Sequence, residues 1–464
     1  MGRFVNRSIF REYDVRGTFM KTLFPKDAFD IGVSFGALCA VKAGDGCGEL
    51  LVCVARDGRL SSPELFENLV RGLVSAGVTV IDCGVGPTPY LYWTDFYLRP
   101  AGAVMVTGSH NPSSDNGFKL TVKQAPLFGD ALRAMCDMST QFIGGDRQKR
   151  GKVVECDYRN LYVNALINSV EHGLHGFCEN IVWDPGFGAS AEILHMIAAR
   201  LPGNHFIING KIDGSFPGAT PDPTDPGRVE RLKEFIATHE CAAGFAFDGD
   251  ADRLVVADEF GEILAGDELF AHFISHKLAT DGGKCNCIVD VKFSDILKFD
   301  LEHKGAKIRQ AKTGHVHIKS SMRELERSIA GEVSGHYFFS DDWNGCDDSI
   351  YAALRFMNVM KANNRRLSEW SSHLPPRYAS RELRLNCPED VKWKVAENIK
   401  CRLENVSISE IDGIRITCDD GWWLVRPSQT EEKVVVRWES PTVDGYSKME
   451  RRIMMLLRSS GVAV

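Results

Sequence analysis

Ser109 stands in VTGSHNP, where the strand-like run AVMV meets a glycine and Pro112 ends regular pairing. A hydroxyl there, at the carboxyl end of a strand, occupies the place where open α/β sheets bind ligands. Taken alone, a serine in a Gly/Asn/Pro-rich turn is more often ordinary turn chemistry. The neighbouring His110 does not supply a base, because adjacent side chains of an extended segment point to opposite sides. Ser109 would need activation or phosphorylation by other means.

Asp248, Asp250 and Asp252 fall within FDGDADR, directly after the strand-like AGFAF. Carboxylates this close repel by about 1 kcal/mol per pair at ~4 Å in water, and by more in a partly buried site. A divalent cation relieves that repulsion, and oxygen-only ligands favour magnesium, calcium or manganese over zinc. An EF-hand does not fit, since Arg253 stands where that loop needs glycine and strand-like LVVA follows where a helix should begin. The plain alternative is a solvated acidic turn, and the apolar flanks oppose it. Arg253 can receive phosphate oxygens that also face a metal. A serine, a metal loop and an anion binder together point to phosphoryl transfer.

Two further loops carry suitable chemistry. GEVSGH (331–336) offers Glu332, Ser334 and His336, a set suited to the vicinal hydroxyls of a sugar. RPSQTEEK (426–433) places Arg426 near Ser428, Gln429 and Thr430, close enough to wrap a phosphate dianion. No GxxxxGK[ST] occurs and no GxGxxG follows a strand, so a nucleotide cofactor is not indicated.

The elements that must position these loops alternate in a βαβ rhythm: LLVCVA, ELFENLVRGLVSAG, VTVIDC and AVMV form a first cycle. A second begins near Tyr158 with a helical pattern, then IVWD, AEILHMIAAR and GFAFD. A third has ELFAHFISHKLA, CIVDVK and a helix-like HIKSSMRELERS before GEVSGH. The unit recurs as a pattern, with little shared identity. After about residue 370 the rhythm changes to strand RELRLN, helix EDVKWKVAENIKCRLEN, several strands and a terminal helix, YSKMERRIMMLLRS. Pro375-Pro376 supports a boundary near there. The expected architecture is α/β: three similar mixed-sheet domains (1–155 with the serine loop, 156–258 with the metal loop, 259–372 with the sugar loop) and a smaller α+β domain (373–464) with the phosphate loop.

At 464 residues the chain exceeds one hydrophobic core, in keeping with three or four domains. Hydrophobic content of 44% and charged content of 25% are those of a folded globular protein. A net charge of -7 argues against nucleic acid, so an anionic substrate needs locally converging Lys and Arg. The fourteen cysteines include no CxxC pair and read as reduced thiols. No signal-peptide core, myristoylation signal or membrane-length apolar run is seen, so the expected location is cytoplasmic and the sequons at Asn6 and Asn405 carry little weight.

Together the four loops resemble the α-D-phosphohexomutase superfamily, most closely its phosphomannomutase/phosphoglucomutase branch. The resemblance runs in order through FREYDVRG, VARDGRLSSPEL, VTGSHNP, NGFK, DGDADR, DVKFSDIL, KTGH, GEVSGH, DDSIYAALR and RPSQTEEKVVVRWES. It implies a four-domain heart around a central cleft with a C-terminal lid, a phosphoserine at Ser109, and Mg²⁺ held by that phosphate with Asp248, Asp250 and Asp252.

By the same resemblance, Arg16, Lys119 and Arg253 lie near the reacting phosphate, with Lys119 and His315 as proton-transfer groups. Glu332 and Ser334 hold sugar hydroxyls with His336 close by, Tyr13 and Lys292 contact substrate, and Arg426, Ser428, Gln429 and Thr430 grip the distal phosphate. The implied reaction interconverts hexose 1-phosphate and hexose 6-phosphate, of glucose and/or mannose, through a hexose 1,6-bisphosphate that also serves as activator. Lid closure would keep water from discharging the phosphoserine. The partners are small-molecule sugar phosphates, not nucleic acid or membrane, and a monomer and a dimer are both compatible.

Gln429 and Glu432 depart from the family's usual Asn and Pro, and Glu432 adds a negative charge beside a phosphate loop. Val333 replaces the commoner Met and differs from the Gln of phosphoglucosamine mutases, which favours glucose or mannose over the amino sugar. Phosphoglucosamine mutase is the alternative within the superfamily. A metal-dependent serine phosphomonoesterase would use the same serine and metal but leaves the sugar loops unexplained.

Overall fold

The computed structural model describes residues 6–44, 48–139, 151–403, 406–428 and 432–464. Gln429, Thr430 and the sequon at Asn405 lie outside the described residues. The chain divides into two compact units, Met1–Leu264 with Ser334–Ser368, and Ala265–Val333 with Glu369–Val464.

In the first unit, the strand Leu51–Arg56 pairs in parallel with Thr79–Val85 on one side and Gly102–Val106 on the other. Asp115–Val122 adds antiparallel beyond Gly102–Val106, and Val15–Thr18 adds antiparallel beyond that. Gly102–Val106 is buried at every position, which is why its sequence reads as an unbroken apolar run. Helices Pro25–Ala43 and Ser62–Ser75 lie against each other through two glycines. A Cβ on Gly32 would stand 2.3 Å from the Leu69 carbonyl oxygen, and one on Gly72 2.2 Å from that of Phe29. The core between these helices and the sheet joins Val52, Val54, Val104 and Val106 to Phe35, Leu69 and Leu73. Each such side chain contributes about 1.5–3 kcal/mol by leaving water.

The second sheet of this unit repeats the plan. Asn180–Asp184 is parallel to Asn204–Ile207 and to Ala243–Phe247, and Leu254–Ala257 is antiparallel to the last. Its order, antiparallel edge then three parallel strands, is that of Asp115–Val122, Gly102–Val106, Leu51–Arg56 and Thr79–Val85. The serine loop and the acidic loop therefore leave topologically equivalent strands. Helix Ser349–Asn363 packs on Arg159–Val170 and on Leu254–Ala257.

In the second unit, Cys285–Asp290 pairs in parallel with Ala306–Ala311 and with Ile329–Gly331, again the same core plan. The helix after KTGH spans only His315–Met322, shorter than its pattern suggests. Residues 323–328 turn instead, because the chain must reverse within them to enter the strand Ile329–Gly331. The C-terminal part is an antiparallel sheet with Lys433–Ser440 between Gly421–Pro427 and Leu383–Asn386. Helices Glu389–Lys400 and Val443–Ser459 cover it, around Trp423, Trp438, Val395 and Ile453. Two arginines of this sheet reach the third repeat. Arg415 donates to the Val291 carbonyl at 2.9 Å, and Arg437 donates to Lys292 O and to Asp267, both at 2.8 Å. Among the described residues, no helix is long and apolar enough to cross a membrane.

Candidate active site

Asp57 follows the strand Leu51–Arg56 and is fully buried. Its carboxylate accepts from the Thr107 hydroxyl at 2.8 Å and from Gly108 N at 3.3 Å. Thr107 Oγ1 in turn accepts from Ser109 N at 2.8 Å. This chain of bonds replaces ladder pairing where the strand ends. Ser109 then adopts φ +50°, a left-handed conformation rare for a residue with a Cβ. Its Oγ donates to Asp248 Oδ2 at 2.9 Å. The same turn brings His110 Nδ1 to 3.3 Å from Ser109 Oγ. The expectation that the two side chains point apart is therefore corrected, since it assumed an extended backbone that Ser109 does not have.

The acidic loop is a tight turn after Ala243–Phe247. Asp248 Oδ1 accepts from the backbone N–H groups of Asp252 and Arg253 at 3.0 and 3.2 Å, and Ala251 takes φ +55°. Ser349, at the start of its helix, donates its hydroxyl to the Ala251 carbonyl at 2.5 Å. Asp248, Asp250 and Asp252 are all buried and can each offer an oxygen within 4.8 Å of the others.

Asp250 Oδ1 and Asp252 Oδ1 are buried without a hydrogen-bond donor. Burial, then Asp252 and Asp250, pushes the Asp248 carboxyl well above the usual carboxylate range. Converging hard oxygens, two of them orphaned, fit a divalent cation such as magnesium. Burial opposes the charged form of Asp252, but Lys119 and His336 outweigh it and hold that carboxyl low.

Lys119, on the antiparallel strand Asp115–Val122, sets its Nζ 2.6 Å from Asp250 Oδ2 and 2.5 Å from Asp252 Oδ2. Burial lowers its pKa, yet the two carboxylates prevail and keep it protonated. Arg16 donates to Gly108 O at 2.6 Å and to Asn111 Oδ1 at 3.1 Å, and pairs with Asp14. Tyr13 is half-buried in the turn before Asp14. Arg253 Nε donates to His336 Nε2 at 3.3 Å, and Ser334 Oγ lies 3.0 Å from His336 Nδ1. Ser109, the three aspartates, Arg16, Lys119, Arg253, Ser334 and His336 thus belong to one compact unit.

The remaining residues belong to the second unit and form their own network. Glu332 Oε1 accepts from Gly314 N at 2.5 Å, which ties the sugar loop to the turn before His315. Thr313 donates from its hydroxyl to Asp290 at 3.2 Å and from its N–H to Asp412 at 3.1 Å. Asp412 pairs with Arg426 at 2.8 Å. Lys292 lies 3.3 Å from Asp290 and 2.8 Å from Glu382. Ser428 is buried, and its carbonyl accepts from Lys392 Nζ at 2.9 Å.

Asp57, Ser349 and Glu382 were not singled out from the sequence. Asp57 lies in VARDGRLSSPEL and Ser349 in DDSIYAALR, two of the stretches that carry the resemblance, and the charge of Asp57 beside an apolar strand is a further signal.

Three α/β repeats with a serine loop facing an acidic loop define a phosphotransferase of the sugar-phosphate mutase class. The chain belongs to the phosphoglucomutase/phosphomannomutase family. Its alpha/beta/alpha domains I, II and III match residues 7–137, 160–261 and 265–378, and its C-terminal domain matches residues 382–455. The chain is 33% identical over 462 residues to a phosphoglucomutase of Neisseria gonorrhoeae, covering 98% of each. It is 33% identical over 450 residues to a phosphomannomutase/phosphoglucomutase of Pseudomonas aeruginosa, covering 96% of this chain and 94% of that one. A crystal structure of a phosphoglucomutase/phosphomannomutase family protein from Burkholderia thailandensis superposes with a TM-score of 0.89 at 30% identity, covering 99% of both chains.

Proposed function

We propose that this chain is a cytoplasmic isomerase that interconverts hexose 1-phosphate and hexose 6-phosphate, of glucose and/or mannose. The observation that carries the reading is Ser109 Oγ at 2.9 Å from Asp248 Oδ2, beside two orphaned carboxylate oxygens. Its domains would be 1–155, 156–258, 259–372 and 373–464.

In this reading Ser109 is a phosphoserine. The P–O bond to Ser109 breaks as a P–O bond to the free sugar hydroxyl forms, giving a bound hexose 1,6-bisphosphate. That molecule turns over and returns its other phosphoryl group to Ser109. Asp248, Asp250, Asp252 and the Ser109 phosphate would hold Mg²⁺, whose contribution is to neutralise charge on the transferring phosphoryl oxygens. Arg16, from the strand Val15–Thr18, and Arg253, from the acidic loop, add positive charge.

Lys119, held protonated by Asp250 and Asp252, returns a proton to Ser109 Oγ as the phosphoryl group leaves. His315 is the second proton-transfer group. Glu332, Ser334 and His336 orient the sugar, and Tyr13 and Lys292 contact it. Arg426, Ser428, Gln429 and Thr430 hold the distal phosphate. The aliphatic Val333 between Glu332 and Ser334 favours a neutral sugar over glucosamine.

The test uses purified protein with Mg²⁺ and a trace of glucose 1,6-bisphosphate. Glucose 1-phosphate should convert to glucose 6-phosphate, and Ser109→Ala should nearly abolish turnover. Steady phosphate release without isomerisation would overturn the reading in favour of a phosphomonoesterase. Parallel kcat/KM values for glucose, mannose and glucosamine 1-phosphates identify the preferred sugar.

A further inference from the structure

Arg59 is 1% exposed, and its guanidinium lies directly beneath the serine loop. All of its N–H groups are spent. Nη2 donates to Ser109 O at 2.6 Å and to Asn111 O at 2.7 Å, while Nη1 donates to Pro112 O at 2.6 Å and to Asp115 O at 3.0 Å. Nε donates to Asp57 Oδ2 at 3.0 Å, and Asp57 is the residue that also holds Thr107 and Gly108. A lysine could not reproduce this, because a planar fork with five donors reaches acceptors that a single ammonium cannot.

The guanidinium also reaches a connection of the second sheet. Its carbon stands 5.2 Å from the centre of the Phe216 ring, in the segment between the strand Asn204–Ile207 and the helix Pro226–His239. The Arg59 backbone pairs with Gly214. Two glycines record how closely the parts fit. A Cβ on Gly108 would fall 2.5 Å from Arg59 Cζ, and one on Gly249 would fall 2.6 Å from Ser109 O, the oxygen that Arg59 grips.

A non-glycine residue stays at φ +50° only where its surroundings over-determine it. Here the four carbonyls fastened to Arg59 are those surroundings. We propose that Arg59 is a positioning residue for phosphoryl transfer, fixing the left-handed turn that aims Ser109 Oγ at the Asp248 loop. This rests on the reading of Ser109 as the phosphoryl carrier. Arg59 itself contacts carbonyl oxygens and Asp57, so its effect passes through Ser109.

The experiment compares the full chain with Arg59→Ala, Arg59→Lys and Gly108→Ala, the last displacing the guanidinium without removing it. Each protein is checked for folding by circular dichroism. Each is then mixed with Mg²⁺ and glucose 1,6-bisphosphate, and phosphoryl transfer to Ser109 is followed by rapid quench and intact mass. Steady-state kcat and KM for glucose 1-phosphate are measured alongside.

A nucleophile displaced by about 1 Å costs on the order of 100-fold, so kcat should fall by about that factor in Arg59→Ala with KM little changed. Gly108→Ala should show the same split, and Arg59→Lys should recover only part of the rate. Added methylguanidinium should raise the rate of Arg59→Ala where methylammonium at equal ionic strength does not. Should Arg59→Ala fail to fold, the kcat and KM values of the other two variants decide. A wild-type kcat, a loss expressed in KM, or a loss indifferent to guanidinium would overturn the assignment. Absence of phosphate on Ser109 in the unaltered protein would instead overturn the carrier reading, so the two failures are distinct.

Discussion

The backbone N–H of Thr88 donates to the Asp250 carbonyl at 2.8 Å, and the Thr88 hydroxyl donates to the Asp250 carboxylate. Thr88 opens the helix Thr88–Leu98 and is fully buried, so one of that helix's unpaired first-turn donors is satisfied by the acidic loop. The positive end of the helix dipole also meets the acidic loop here.

Thr88→Val keeps the shape and the backbone bond but deletes the hydroxyl. Supporting partners of metal-binding carboxylates are worth about 10- to 100-fold in affinity, so Mg²⁺ binding measured by calorimetry should weaken by that order. Thr88→Ser should restore it. Equal affinity in Thr88→Val and the parent would dismiss the role.

Lys119 neutralises the carboxylates that a cation would occupy. Lys119→Met should lower kcat by about 10²- to 10⁴-fold, the usual contribution of a proton-transfer group. Metal affinity should rise, because a competing charge has gone. If the variant loses activity and metal together, Lys119 organises the loop and does not move a proton.

Glu382 draws Lys292 toward the C-terminal sheet, and burial of this carboxylate is outweighed by Lys292 and Arg384, which hold its pKa far below the usual range. Glu382→Gln leaves Lys292 one opposing charge fewer. KM for the sugar phosphate should then fall by about 3- to 10-fold with kcat changing less, as expected for stronger charge-assisted binding. A raised KM would show that the ion pair positions Lys292 and does not compete with substrate.

His272 is buried against Trp370, with ring centres 4.7 Å apart, and burial followed by Arg377 pushes its pKa from 6.5 down to about 4. The unfolded chain therefore binds a proton between those values that the folded chain refuses, so stability is lost as pH falls through that window. The difference amounts to about 3 kcal/mol at the acid end. His272→Phe should flatten the decline of Tm between pH 7 and pH 4.5, measured by calorimetry. An unaltered slope would place the acid sensitivity elsewhere.

The alternation of elements is legible in the chain because buried parallel strands such as Gly102–Val106 are apolar at every position, and amphipathic helices such as Ser62–Ser75 carry their own period. The acidic loop announces itself through charge density. The geometry of Ser109 is not legible, since its φ depends on donors from Arg59, about fifty positions earlier, and on bonds through Asp57. Local pattern holds no record of such distant partners. The shortness of His315–Met322 is hidden for a similar reason, because the helical pattern continues beyond the point where the sheet requires the chain to turn. Thr88 and Glu382 look unremarkable as residues and acquire importance only from what they face.

Ser109 and the carboxylate it faces are 139 residues apart. A ribosome adding about 5–20 residues per second completes that interval in roughly 7 to 30 s, during which Ser109 exists without Asp248. The nascent first sheet can pair, yet its serine loop has no acidic loop to face until the second sheet emerges. Premature or truncated chains ending before Asp248 would therefore be silent toward sugar phosphates, and competence cannot precede the second repeat.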